Sequence, residues 1–180
     1  ENNDCSENVH TGVYLDFSYN CLVSNNTCEN NGDFGIHIYQ GQNDQVINNT
    51  CASPDMTYQS PTVGIYLSYS SSNEVSQNTC VHNGIGIEMD SSDGNLIIDN
   101  NCSNNDNIIV EGVNQGISIS SSFDNYVFNN TCAGAAYGIS VVGGSSRNQL
   151  IENNCSGNVQ IGIYLYNGES SSNAICNNTC

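Results

Sequence analysis

The 180-residue chain has no lysine and a single arginine, Arg147, against 18 aspartates and glutamates, giving a formal net charge of -17. That scarcity of cations excludes recognition of nucleic acid through its phosphates, which depends on lysine and arginine. It also argues against binding to anionic membrane surfaces. No run of 18 apolar residues occurs, so no segment reads as a membrane-spanning helix. No Cys-x-x-Cys pair is present, and Cys176 and Cys180 stand four apart without a second pair, so no zinc site is expected. Glycine-rich phosphate loops are missing as well, and no cofactor is expected. The acidic balance suits a hydrated outer surface, where glycans or cations are the compatible partners.

What the chain has instead is a repeat. Asn-Asn-Thr-Cys recurs at 25–28, 48–51, 129–132 and 177–180, with looser copies ending at Cys5, Cys80, Cys102 and Cys155. The intervals between the eight motif cysteines (Cys5, Cys28, Cys51, Cys80, Cys102, Cys132, Cys155 and Cys180) run from 22 to 30 residues. Each interval also holds a glycine followed by apolar, any, apolar, as in Gly35-Ile36-His37-Ile38 and Gly86-Ile87-Glu88-Met89. Glycine to cysteine is nearly constant, so the large length variation falls between cysteine and glycine. The segments 52–63 and 103–115 are therefore longer loops at one corner of a constant frame.

The constant part alternates apolar and polar residues with a period of two, which is the signature of a strand. A second strand centres on Val23, Val46, Val75, Ile97, Val127, Leu150 and Ile175, each five residues before its cysteine. No helical period competes. Units of this size, repeated at this interval, stack into a solenoid whose neighbours pair their backbones. The expected fold is all-β: a parallel β-solenoid of about seven coils forming one domain over 1–180. Two polar columns fit it. Asparagine stands two residues before each cysteine (Asn3, Asn26, Asn49, Asn78, Asn100, Asn130, Asn153, Asn178) and seven before it in Asn73, Asn95, Asn125, Asn148 and Asn173. An amide both donates and accepts, so such a column satisfies itself along the axis.

The pattern Asn-x-apolar-x-x-Asn-x-Cys followed by Gly-Ile-x-apolar resembles the right-handed parallel β-helix repeats of the NosD/CASH type. The resemblance covers essentially the whole chain and implies a surface or periplasmic protein associated with carbohydrate. The cysteine-rich, acidic, lysine-free composition further resembles the sheath and S-layer-like proteins of methanogenic archaea.

Equivalent cysteines on neighbouring coils would lie about 4.8 Å apart, within the ~4.4–6.8 Å that a disulfide accepts. The column can therefore bridge coil to coil or stand as buried thiols. Cys21 and Cys176 read as off the cysteine column at opposite ends, candidates for joining subunits. The chain starts at Glu1 without an apolar leader, which suggests that a signal was removed or that this is part of something longer, and an extracellular location is expected. Asn-x-Ser/Thr sequons at Asn25, Asn48, Asn101, Asn129, Asn154 and Asn177 are either glycosylation sites or turn chemistry.

Candidates for chemistry are few. Arg147 is the only conceivable cationic base, and it sits in a Gly-Gly-Ser-Ser-Arg turn. Glu88 and Asp90 share the outward face of one strand, roughly 7 Å apart by strand rise, with Asp93 following. His10, His37 and His82 are scattered. An outward column holds Tyr14, His37, Tyr66, Glu88, Ser118, Ser140 and Tyr164. On these grounds no catalytic residue is assigned and the chain is expected not to be an enzyme. It is expected to be a structural surface protein stacking on copies of itself into a sheath, layer or filament. The alternative is a β-helix module that binds or hydrolyses polysaccharide.

Overall fold

The computed structural model of the chain describes residues 1–54, 62–106, 114–166 and 171–180. The central parts of the two expected loops, 55–61 and 107–113, lie outside the described residues. Strands are numbered in chain order. The longer ones, β1 (Thr11–Asp16), β3 (Phe34–Tyr39), β6 (Val63–Ser68), β9 (Ile85–Asp90), β11 (Gln115–Ser120), β13 (Tyr137–Val142) and β15 (Ile161–Leu165), form one parallel sheet in that order. The three-residue strands β2 (Leu22–Ser24), β4 (Gln45–Ile47), β7 (Glu74–Ser76), β10 (Leu96–Ile98), β12 (Tyr126–Phe128), β14 (Gln149–Ile151) and β16 (Ala174–Cys176) form a second. A third face pairs β5 (Thr50–Ala52) with β8 (Thr79–Val81) and continues as single bridges through Asn101, Thr131, Asn154 and Thr179. The result is the parallel β-solenoid expected from the repeat, with three pairing faces per coil.

The period-two alternation decides which side chains enter the core. In β9, Ile87 and Met89 are fully buried while Glu88 and Asp90 face out. The short strands add one inward residue each, such as Val46, Val75, Ile97 and Leu150, and the third face adds the cysteines. Burying each such Ile or Leu contributes about 1.5–3 kcal/mol. The core is thus a set of stacked columns, because register partners such as Ile65, Ile87 and Ile117 are the same residue type at the same height in successive coils.

The corners are made by residues in the left-handed region. Asn25, Asn48, Gln77, Asp99, Asn129, Glu152 and Asn177 all have φ between 53° and 57°, a conformation asparagine tolerates better than most residues. The residue after each of them is the ladder asparagine. Asn78 is representative: its backbone N–H and its Nδ2 both donate to Asn100 Oδ1, at 2.9 and 3.1 Å, and Nδ2 also donates to the Val46 carbonyl at 2.8 Å. The second ladder runs from Asn73 through Asn95, Asn125 and Asn148 to Asn173 with the same bonding. Both expected asparagine columns are present, and each offsets the cost of burying polar backbone at a corner.

Two further ladders were not foreseen. Asn83 and Asn105, three residues after their cysteines, repeat the arrangement at the third corner, and Asn158 does so near the chain's end. Buried serines do likewise: Ser70, Ser92 and Ser122 donate their backbone N–H to Ser92, Ser122 and Ser145 Oγ at 2.9–3.1 Å. Cys21 is placed by the same kind of bond. It lies outside the cysteine column but within the second asparagine ladder, where its N–H donates to Asp44 Oδ1 at 2.7 Å. Asp44 itself is fully buried and accepts a second bond from the Ser18 hydroxyl.

Candidate functional site

The outer face of the long-strand sheet carries one residue from each coil at the same height. Tyr14, His37 and Tyr66 stack in sequence along it, with ring centroids 5.0 Å apart for the first pair and 4.8 Å for the second. Phe34, at the start of β3, packs flat on Tyr66 at 5.0 Å and against His37 at 4.8 Å. Tyr39 adds edge-on contacts to Phe17 and Tyr69. The register dictates this cluster, because His37 is directly paired with both Tyr14 and Tyr66.

The next position along the column is Glu88, the register partner of Tyr66 and Ser118. Burial against the aromatic block, together with the Asp90 carboxylate two residues on, pushes the Glu88 pKa up to about 6. Tyr66 is pushed up to about 12, by burial and then by Glu88 and Asp90. Burial lowers His37, whose Nε2 is hydrogen-bonded to Ser68 Oγ at 2.8 Å. Beyond Glu88 the outward serines are covered. Ser118 and Ser140 are only 5% and 2% exposed, and Ser140 donates its hydroxyl to Gln115 Oε1. Tyr137, Tyr164 and Tyr166 close the far side, with ring centroids 5.2 and 5.9 Å apart. The face therefore runs aromatic block, carboxylate pair, covered serines, aromatic block.

The other sequence candidates lie elsewhere. Arg147 is on a different corner, held by Asp124 through Nε and Nη2 at 2.8 and 2.7 Å and set over the Phe123 ring. His10 pairs with Asp33 on the surface, and His82 is an exposed corner residue. Cys28, Cys51, Cys80, Cys102, Cys132 and Cys155 are buried in one column, Cys5 is half-buried and Cys180 exposed, and all ten cysteines carry free thiols. Cys51 and Cys80 are register partners, the relation a coil-to-coil bridge would use. Burial pushes the Cys80 and Cys102 thiols well above their ordinary range. Cys176 is exposed on β16. The six sequon asparagines are all exposed, each beside a ladder asparagine rather than within the ladder. A depression of about 370 Å³ lined by Cys21, Asp44, Ser72, Glu74 and Leu96 lies beside the short-strand sheet, apart from the aromatic face. Among the described residues no cluster of His, Cys, Asp and Glu is arranged to hold a metal.

Residues 1–154 match the family described as "right handed beta helix region". The chain belongs to this family. No curated protein matches the sequence, but solved structures share the β-helix fold. A periplasmic alginate epimerase superimposes with a TM-score of 0.78 at 16% identity, covering 97% of this chain and 44% of the epimerase. The enzymatically active domain of bacteriophage CBA120 tailspike protein 2 follows with 0.65 at 13% identity, over 86% of this chain and 23% of the tailspike. A mannuronan C-5 epimerase A-module from Azotobacter vinelandii gives 0.51 at 16% identity, over 98% and 56%. The chain thus spans less than half the length of the alginate epimerase. At these identities the likeness is one of fold. The expectation that the chain is not an enzyme is corrected to this extent: its fold is one that two epimerases and the enzymatically active domain of a tailspike share, so the repeat architecture gives no ground for excluding catalysis. The resemblance to archaeal sheath proteins gains no support from this likeness.

Proposed function

We propose that the chain is a secreted β-helix module that binds an extended polysaccharide along the outer face of the long-strand sheet and hydrolyses it at Glu88 and Asp90. The observation that carries this reading is the position of Glu88, a half-buried carboxylate at the edge of a stacked aromatic block with its pKa raised to about 6. Flat rings next to a perturbed acid are the pairing of contacts a carbohydrate site uses. Aromatic rings receive the C–H faces of sugar units.

Two carboxylates at positions i and i+2 of one strand are roughly 7 Å apart, within the ~6.5–9.5 Å that inverting glycosidases use. Glu88, protonated over a wider pH range than an ordinary glutamate, donates its proton to the glycosidic oxygen as the C–O bond breaks. The Asp90 carboxylate takes a proton from the water that adds to the anomeric carbon. Raising the acid's pKa by burial is the device that separates the two roles.

The experiment is a reducing-end assay on a panel of polysaccharides, with oligosaccharide affinity measured in parallel. Wild-type protein should release reducing ends, Glu88→Gln should lose at least 100-fold in rate while keeping its affinity, and Tyr66→Ala should lose affinity. Equal turnover by wild type and Glu88→Gln would remove Glu88 from the mechanism.

A further inference from the structure

We infer that the aromatic face takes a glycan free of anionic groups and rejects polyuronates, although alginate epimerases share its fold. The inference rests on the reading of this face as a carbohydrate site and goes on to name the class of sugar. Charge decides it. Among the described residues, the charged side chains on the face are the carboxylates Asp16 beside Tyr14, Glu88 and Asp90. The aromatic block also holds His37, but burial lowers its pKa and so favours the neutral ring near pH 7.

Nothing nearby offsets this. The sequence contains one Lys or Arg, and that residue, Arg147, is on another corner with its Nε and Nη2 bonded to Asp124. A uronate chain carries a carboxylate on every sugar, about one for each coil spacing along the sheet, and would set these against Asp16, Glu88 and Asp90 in turn. Like charges juxtaposed at an interface are strongly unfavourable, and the field of a protein with net charge -17 repels polyanions before contact. Neutral sugars meet no such barrier, and amine-bearing sugars are attracted. The stacked rings bind through surfaces common to all three, so the discrimination comes from charge rather than shape.

The test is calorimetric titration of the whole chain, in EDTA, with matched hexasaccharides of gluco, manno and galacto configuration. Each is supplied as the neutral sugar, the 2-amino sugar and the uronate. Neutral or amino hexamers of the preferred configuration should bind at least about tenfold more tightly than its uronate. Raising NaCl from low millimolar to 0.5 M should narrow that gap, as should Asp16→Asn, because both weaken the same repulsion. Equal or tighter binding of the uronate would overturn the inference while leaving the face a glycan site, and so would uronate binding restored by adding calcium. Failure of every hexamer to bind would overturn the glycan reading of the face and this inference with it.

Discussion

At the scale of single residues, Glu88 links stability to pH with a defined sign. Its pKa is raised from 4.5 in the unfolded chain to about 6 in the fold. Between those values the folded state binds more protons than the unfolded state, so stability falls as pH rises through that window and levels off above it. The penalty at pH 7 amounts to about 1–2 kcal/mol. Glu88→Gln removes it, so the variant should be more stable than wild type at pH 7 and no more stable at pH 4, as read by urea unfolding at the two values. Gain of stability with loss of turnover is the pattern expected where a site holds a charge at a cost to the fold. A merely solvated glutamate would show neither effect.

At the scale of the coil, the asparagine ladders hold the corners. Asn100 accepts from the backbone N–H and Nδ2 of Asn78 and donates to the Val75 carbonyl and Asn130 Oδ1, at 2.9–3.1 Å throughout. Asn100→Ala strands a buried backbone N–H and a carbonyl, each costing about 1–3 kcal/mol, and should lower unfolding free energy by at least 2 kcal/mol. Asn101→Ala, the next residue along the same corner, exposed and outside the left-handed region, should cost under about 1 kcal/mol in the same denaturant series. The contrast explains what the sequence revealed. Two ladders were legible because the amide stands at one offset from nearly every cysteine. The third was not, because Pro54 and Ala135 interrupt it, and the serine ladder breaks at Gly41. Cys21 seemed an outlier because a thiol and then Asp44 begin a column that continues as asparagine. The outward columns were legible as a list of residues, but Tyr, His, Glu and Ser alternate along them without a motif. What turns Glu88 into an acid poised near neutrality is burial by residues of other coils, which no local spacing records.

At the scale of the whole molecule, charge and stacking oppose each other. Every coil bonds only to the coils above and below it, so the rod gathers its 18 acids around a thin core with almost no cations among them. Self-repulsion weakens such a compact state, and salt relieves it. Relief of about 1 kcal/mol raises Tm by about 2–4 °C for a domain of this size. Calorimetry from 10 mM to 0.5 M NaCl should therefore show Tm rising, with the steepest change at low salt. A Tm that is flat or falls with salt would show that ladder and core energies leave no measurable repulsion.

The ladders also bear on how the molecule ages. A chain so rich in asparagine is, as an unfolded polymer, chemically short-lived. Asn-Gly sequences such as Asn31-Gly32 and Asn83-Gly84 deamidate when the glycine nitrogen swings onto the side-chain carbonyl and expels ammonia. In the fold that nitrogen is occupied: Gly32 donates to the Asn8 carbonyl at 3.0 Å and Gly84 to the Thr62 carbonyl at 2.9 Å. Asn83 Nδ2 is tied in turn to the Cys51 carbonyl. The bonds that align the coils thereby act as a chemical preservative, and the native protein should accumulate isoaspartate at these two positions only as fast as its coils open.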